Sequence, residues 1–179
     1  MSQQKGGVSL GLKMGILIGL ISIAIHYAAA LCLHRQMVVA WGLLIGGLMI
    51  ITTILYGVTG VQYIHSSSEG VTFQKIFKTI LVAILISTII SFAWSILYME
   101  FIGTSYAADY QQTRIAVLKM MHKTAAEIEA ETVAMKEKGR YTVSVGAQVI
   151  FLGELILAKS VVAGIITMLL MKTPKQASL

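Results

Sequence analysis

The chain has 179 residues, of which 56% are hydrophobic and only 12% charged, against roughly 25% charged in a soluble domain. That balance, with a mean hydropathy of +0.80, excludes an ordinary water-soluble domain and points to the lipid bilayer as partner. The net charge of +6 fits basic residues flanking membrane spans as orientation signals and headgroup contacts, so no nucleic-acid partner is expected.

A helix needs about 20 mostly apolar residues, at ~1.5 Å each, to cross a ~30 Å hydrocarbon core. Residues 10–33 supply the first such run. Lysines precede it, as in a signal peptide, but it outlasts the ~7–15 residues of a signal-peptide core and is read as a retained span. Gly11, Gly15 and Gly19 recur every fourth residue on it. Such a stripe lets another backbone approach closely where lipid offers no hydrophobic drive for association. Cys32, the single cysteine, has no partner for an internal disulfide. The polar link His34-Arg35-Gln36 turns the chain into a second span, 38–61, where Gly42 and Gly46 repeat the spacing. Residues 62–72 form a short polar turn, with Thr72 placed to cap the third span, 76–101. Ser87, Ser91 and Ser95 share one face of that span, and Trp94 and Tyr98 suit the membrane interface.

Residues 103–142 are the only stretch with room for an extramembrane element. Leu118, Met121, Ala125, Ile128, Thr132 and Met135 keep helical spacing. Thr124-Ala125-Ala126-Glu127, however, matches a capping box, the mark of a helix starting anew. The reading adopted is two helices, 105–122 and 125–138, bent near Lys123-Thr124, the second ended by Gly139. The fourth span, 145–171, carries Ser160 and Gly164 as a further small-residue pair, and Glu154 and Lys159 in its middle. The fold class is therefore all-α: one integral membrane domain, a four-helix bundle, with an extramembrane helical segment between spans three and four. The glycine and serine pairs read as packing within the chain, with dimerisation through the span-one face as the alternative.

Lys5, Lys13, Lys75, Lys78, Lys172 and Lys175 gather on one side of the spans. Arg35, Arg114, Lys119, Lys123, Lys136, Lys138 and Arg140 gather on the other, beside most of the acids. The bias near the span ends is slight, and it places both termini in the cytoplasm.

An ionisable group inside a bilayer costs at least ~2.5–3.5 kcal/mol on insertion scales, so it is expected to face the protein interior and find a partner. Alternating span directions set Lys159 near the membrane middle, with Thr52, Thr53, Ser87 and Thr88 within a turn of it. Glu154 falls ~7 Å away by helix rise, near the level of His26 and Ser91. Residues five apart on a helix are rotated by ~140°, so a direct Glu154–Lys159 pair needs side-chain reach or an intervening group. The expectation is a buried polar cluster of Glu154, Lys159 and His26, supported by Thr52, Thr53, Ser87 and Ser91. It serves either as a clamp fixing helix register or as a proton- or solute-handling site. His26, His34, His65 and His122 are too widely spaced for a ligand motif on one helix. No metal, cofactor or catalytic arrangement is legible, and the chain is not expected to be an enzyme.

One ordered set of segments carries a resemblance. Glu69-Gly70-Val71-Thr72-Phe73-Gln74-Lys75-Ile76-Phe77-Lys78 leads into span three, followed by the stretch holding Trp94 and Tyr98. The charged segment restarts at Thr124, and the last span contains an early glutamate, Glu154, and closes at Lys172. This order resembles a bacterial family of four-span membrane proteins, domain of unknown function 4199, over most of the chain. It departs from the family at Gly103-Thr104-Ser105, where a Pro-Asp-like turn is common, and at Lys159. The resemblance implies a helical protein of the bacterial inner membrane and supplies no activity. The function expected is structural or accessory, with a membrane-protein partner or a second copy bound by the 103–142 helices. The alternative is a small transporter or channel component that uses the polar cluster.

Overall fold

A computed structural model describes residues 2–67, 70–98, 106–137 and 145–172, with side chains at 6–67, 70–98, 108–134, 150 and 152–172. The described residues form six helices and no strand: α1 (Ser2–His34), α2 (Val38–Ser66), α3 (Phe73–Leu97), α4 (Tyr106–Met120), α5 (Ala125–Glu137) and α6 (Val145–Lys172). Four stretches, Gly6–His34, Val38–Ser66, Phe73–Leu97 and Leu152–Lys172, are long and apolar enough to cross a membrane. The expected end of span three and the Gly103-Thr104-Ser105 link lie outside the described residues.

Local chemistry sets the helix ends. Thr72 precedes α3, and its hydroxyl accepts from the Lys75 amide at 3.4 Å. At the α1–α2 turn the Gln36 amide donates to the Leu33 carbonyl at 2.9 Å and the Met37 amide to Cys32 at 2.8 Å. This is the paired closure of a helix C-terminus through one left-handed residue, here Gln36 with φ 55. The end of α4 repeats it. His122 has φ 56, its amide donates to Lys119, and the Lys123 amide donates to Leu118.

α3 is the organising helix, packed against α1, α2 and α6, while α6 lies on α3 and α2. Met14, Ile18, Tyr56, Tyr63, Ile76, Ile80, Ala83, Ile84 and Ala163 form the core where these helices meet. The α1–α3 approach depends on missing side chains. A Cβ on Gly11 would lie 2.6 Å from the Thr79 carbonyl oxygen, one on Gly15 2.7 Å from Ile86, and one on Gly19 2.9 Å from Ile90. Gly7 extends the same seam, 2.8 Å from the Thr79 hydroxyl.

The span-one glycine face is filled by α3. Two expectations change here. Gly42, Gly46 and Gly164, expected to pack within the chain, have nothing within 4 Å of a built Cβ. The reason is where α6 lies: it meets α2 closely at Gly60, whose Cβ would touch Leu170. Lys13 also differs from its assignment as a flanking residue. It faces outward between Gly11 and Gly15, at the level of Val82 and Ala83, inside the span.

α4 docks on the α1–α2 turn. His34 Nδ1 lies 3.0 Å from the Asp109 carboxylate, Gln36 Nε2 donates to Gln112 Oε1 at 2.8 Å, and the Trp41 and Tyr110 rings meet edge to face at 6.0 Å. Leu118 and Thr113 are buried. α5 packs chiefly on α4, with Arg114 3.8 Å from Glu131. The apolar spacing from Leu118 onward does not make one continuous face. The left-handed His122 turns Met121, 62% exposed, and Ala125 outward, while the Met135 side chain lies outside the described residues.

α5 opens on a reciprocal capping box. The Thr124 amide donates to Glu127 Oε2 at 2.8 Å and the Glu127 amide to the Thr124 hydroxyl at 3.3 Å. Lys123 Nζ donates to Glu127 Oε1 at 2.8 Å. The Lys123 hydrogen bond, then those from the Thr124 amide and hydroxyl, hold the Glu127 carboxyl down at about 2, from an ordinary 4.5. Because the folded value lies below the unfolded one, the cap is fully in force above about pH 4.5 and is lost as pH falls through about 2. Protection of the α5 amides, relative to their intrinsic exchange rates, is therefore expected to fall across that acid range, and this pH dependence of protection to be lost in Glu127→Gln. Thr124→Ala should destabilise α5 by about 1 kcal/mol at neutral pH, read from the same amides.

Candidate functional site

α3 carries two neighbouring hydroxyls, Ser87 and Thr88, each 1% exposed. Successive helical positions differ by ~100°, so neighbours aim at different helices. Ser87 meets α2, where the Tyr56 hydroxyl lies 2.8 Å away, and it donates to its own Ile84 carbonyl at 3.1 Å. Thr88 meets α6, where Lys159 Nζ donates to its hydroxyl at 3.1 Å. One level of α3 thus clasps α2 on one side and α6 on the other.

Lys159 is half-buried and within electrostatic reach of His26 on α1. His26 itself donates from Nδ1 to the Ser22 carbonyl at 2.8 Å, and Ser22 donates to Ile18. The other expected members are satisfied by their own helices. Thr52 and Thr53 both donate to the Met49 carbonyl and Ser91 to Ser87; Ser160, expected as a packing residue, likewise donates to Ile156. Such backbone bonds are the ordinary way a hydroxyl lives in an apolar helix.

Glu154 is the correction. It faces outward and the structure does not bring it to Lys159. With Lys159 bonded to α3 and Ala163 and Thr167 wholly buried, the ~140° between positions five apart turns Glu154 away. Thr53 is likewise exposed, whereas Thr52 is buried without reaching Lys159. The hydrogen-bonded interhelical group is therefore Tyr56, Ser87, Thr88 and Lys159, while His26 bonds within its own helix.

Tyr56 was missed in sequence. A signal exists: Thr52, Tyr56, Thr59 and Tyr63 recur at helical spacing on α2, and all four are buried. Thr113 was missed too, a buried hydroxyl on α4 with no hydrogen-bond partner among the described residues. Among the described residues no three His, Cys, Asp or Glu side chains gather in a way that could hold a metal ion. An ammonium held by a hydroxyl at mid-span can fix helix register, and its remaining protons can meet an anionic group.

Four apolar spans, the last two separated by the α4–α5 stretch, with polar contacts turned inward between the helices, define a multi-pass α-helical membrane protein. Residues 13–173 match the family described as Protein of unknown function (DUF4199), and the chain belongs to that family. No curated protein and no solved structure matches it.

Proposed function

We propose that the protein is a structural or accessory component of the bacterial inner membrane that presents its α4–α5 segment to a partner or to a second copy. The observation that carries this is the unequal packing of the two helices. α4 is fixed to the bundle by His34–Asp109, Gln36–Gln112 and Trp41–Tyr110. α5, by contrast, packs chiefly on α4, leaving its Val133 45% exposed, and Met121 in the turn between the two helices is 62% exposed. A helix anchored at its base with an open outer face is suited to display. Lys75, Lys78 and Lys172, toward the end of the bundle away from α4, support cytoplasmic termini.

The test is purification of tagged full-length protein in mild detergent, with mass determination of the intact complex. A defined complex is expected, and at least a tenfold loss of it in Met121→Asp/Val133→Asp with the thermal midpoint unchanged. Monomer alone from the unaltered chain sinks the reading. A second reading, a small transporter or channel component, draws on the Lys159–Thr88 pair near His26. Solute flux in proteoliposomes that vanishes in Lys159→Met would support it.

A further inference from the structure

The outward face of α6 is patterned. Ile150, Glu154, Leu157, Val161, Gly164 and Met168 recur alternately four and three residues apart, the spacing of a seam between two helices. Ile150, Leu157 and Val161 are 65%, 72% and 62% exposed, and Gly164 has nothing within 4 Å of a built Cβ. This stripe lies opposite Lys159, Ala163 and Thr167, which turn to the bundle interior.

Apolar residues facing lipid need no partner, but Glu154 does. It makes no hydrogen bond or ion pair among the described residues, and it faces outward. With α6 centred in a ~30 Å hydrocarbon layer, it sits ~7 Å from the midplane, on the side of α4. We propose that this face docks a transmembrane helix of a different membrane protein, one carrying a basic side chain at the depth of Glu154. Charge selects the occupant. A second copy related by an axis along the membrane normal brings Glu154 against Glu154, two like charges. Nor, among the described residues of the spans, does it offer a cation there: Lys159 is turned to Thr88, and Lys13, though outward, lies on the other side of the midplane, by Val82. Gly164 then lets the partner's backbone come close below the charged pair. The inference rests on the accessory reading, but it uses a surface separate from α4 and α5.

The test is energy transfer in phosphatidylcholine vesicles between labelled full-length protein and synthetic polyleucine helices. The helices carry arginine, glutamate or only leucine at the position matching Glu154 in depth. Association with the arginine helix is expected to be at least tenfold tighter than with the other two, and to fall to their level in Glu154→Leu. Glu154→Arg should instead prefer the glutamate helix. Glu154 faces outward, so both variants are expected to keep the parent thermal midpoint. Equal association of all three helices overturns the proposal, as does an arginine preference that survives Glu154→Leu. It is also overturned if two labelled copies associate without peptide in a Glu154-dependent way, which makes the face homodimeric. None of these results touches the α4–α5 complex, which is read by the Met121 and Val133 variants.

Discussion

Gly15→Ala is expected to destabilise the bundle by about 1–3 kcal/mol, the usual cost of overpacking a filled interface, while Gly46→Ala is neutral or stabilising by up to ~1 kcal/mol. The two substitutions add the same methyl group to the same helical spacing. At Gly15 that methyl lands 2.7 Å from Ile86 Cβ and 2.9 Å from the Ala83 carbonyl oxygen. Neither atom is the loose end of a flexible side chain, so α1 must move off α3, and the neighbouring contacts at Gly11 and Gly19 move with it. At Gly46 nothing lies within 4 Å, so only the gain from a better helix former remains. Thermal unfolding in detergent of the two variants beside the parent decides this. Equal effects would mean that the α1–α3 seam is not the close contact of the fold.

Thr88→Val is expected to cost about 1.5–3 kcal/mol, the range for losing a hydrogen bond to a charged group. Lys159→Met should be nearly neutral or stabilising, because it removes the ammonium together with its cost of leaving water. In the double variant the Thr88→Val penalty should largely disappear, since no ammonium is left to strand. A thermal-unfolding cycle of the four proteins measures the coupling between the two positions directly. If Lys159→Met alone costs as much as Thr88→Val, the pair contributes net stability of its own. Tyr56→Phe, which removes only the neutral contact to Ser87, should weigh less, since interhelical hydrogen bonds in membranes average ~0.6 kcal/mol.

The contrast between Gly15 and Gly46 also marks how far the sequence could be read. Span lengths follow from bilayer thickness, and the Thr124–Glu127 box and the Thr72 cap are settled within four residues, so these were legible. Which glycine face meets a helix is not local information: Gly11 and Gly42 each head the same four-residue repeat, and only the positions of α3 and α6 separate them. The same holds for the charges. Helical rotation allows one of Glu154 and Lys159 to point inward, yet insertion cost is similar for both, and the pattern of small residues does not rank them. Lys159 points inward because Thr88 on α3 meets it. Tyr56 was hidden because an aromatic in an apolar run reads as bulk until its hydroxyl is seen 2.8 Å from Ser87.

The two seams on α3 differ in when they can close during synthesis. α1, α2 and α3 leave the ribosome in succession, so the glycine seam between α1 and α3 finds both of its sides already in the bilayer. Thr88 has to wait until the polar α4–α5 stretch has been translated and α6 emerges. Close packing therefore belongs to the early part of biogenesis and the hydroxyl–ammonium contact to its last step. Lys159 enters the membrane opposite an acceptor already set in place, and α3 acts as a template for the one span that could least afford to insert alone.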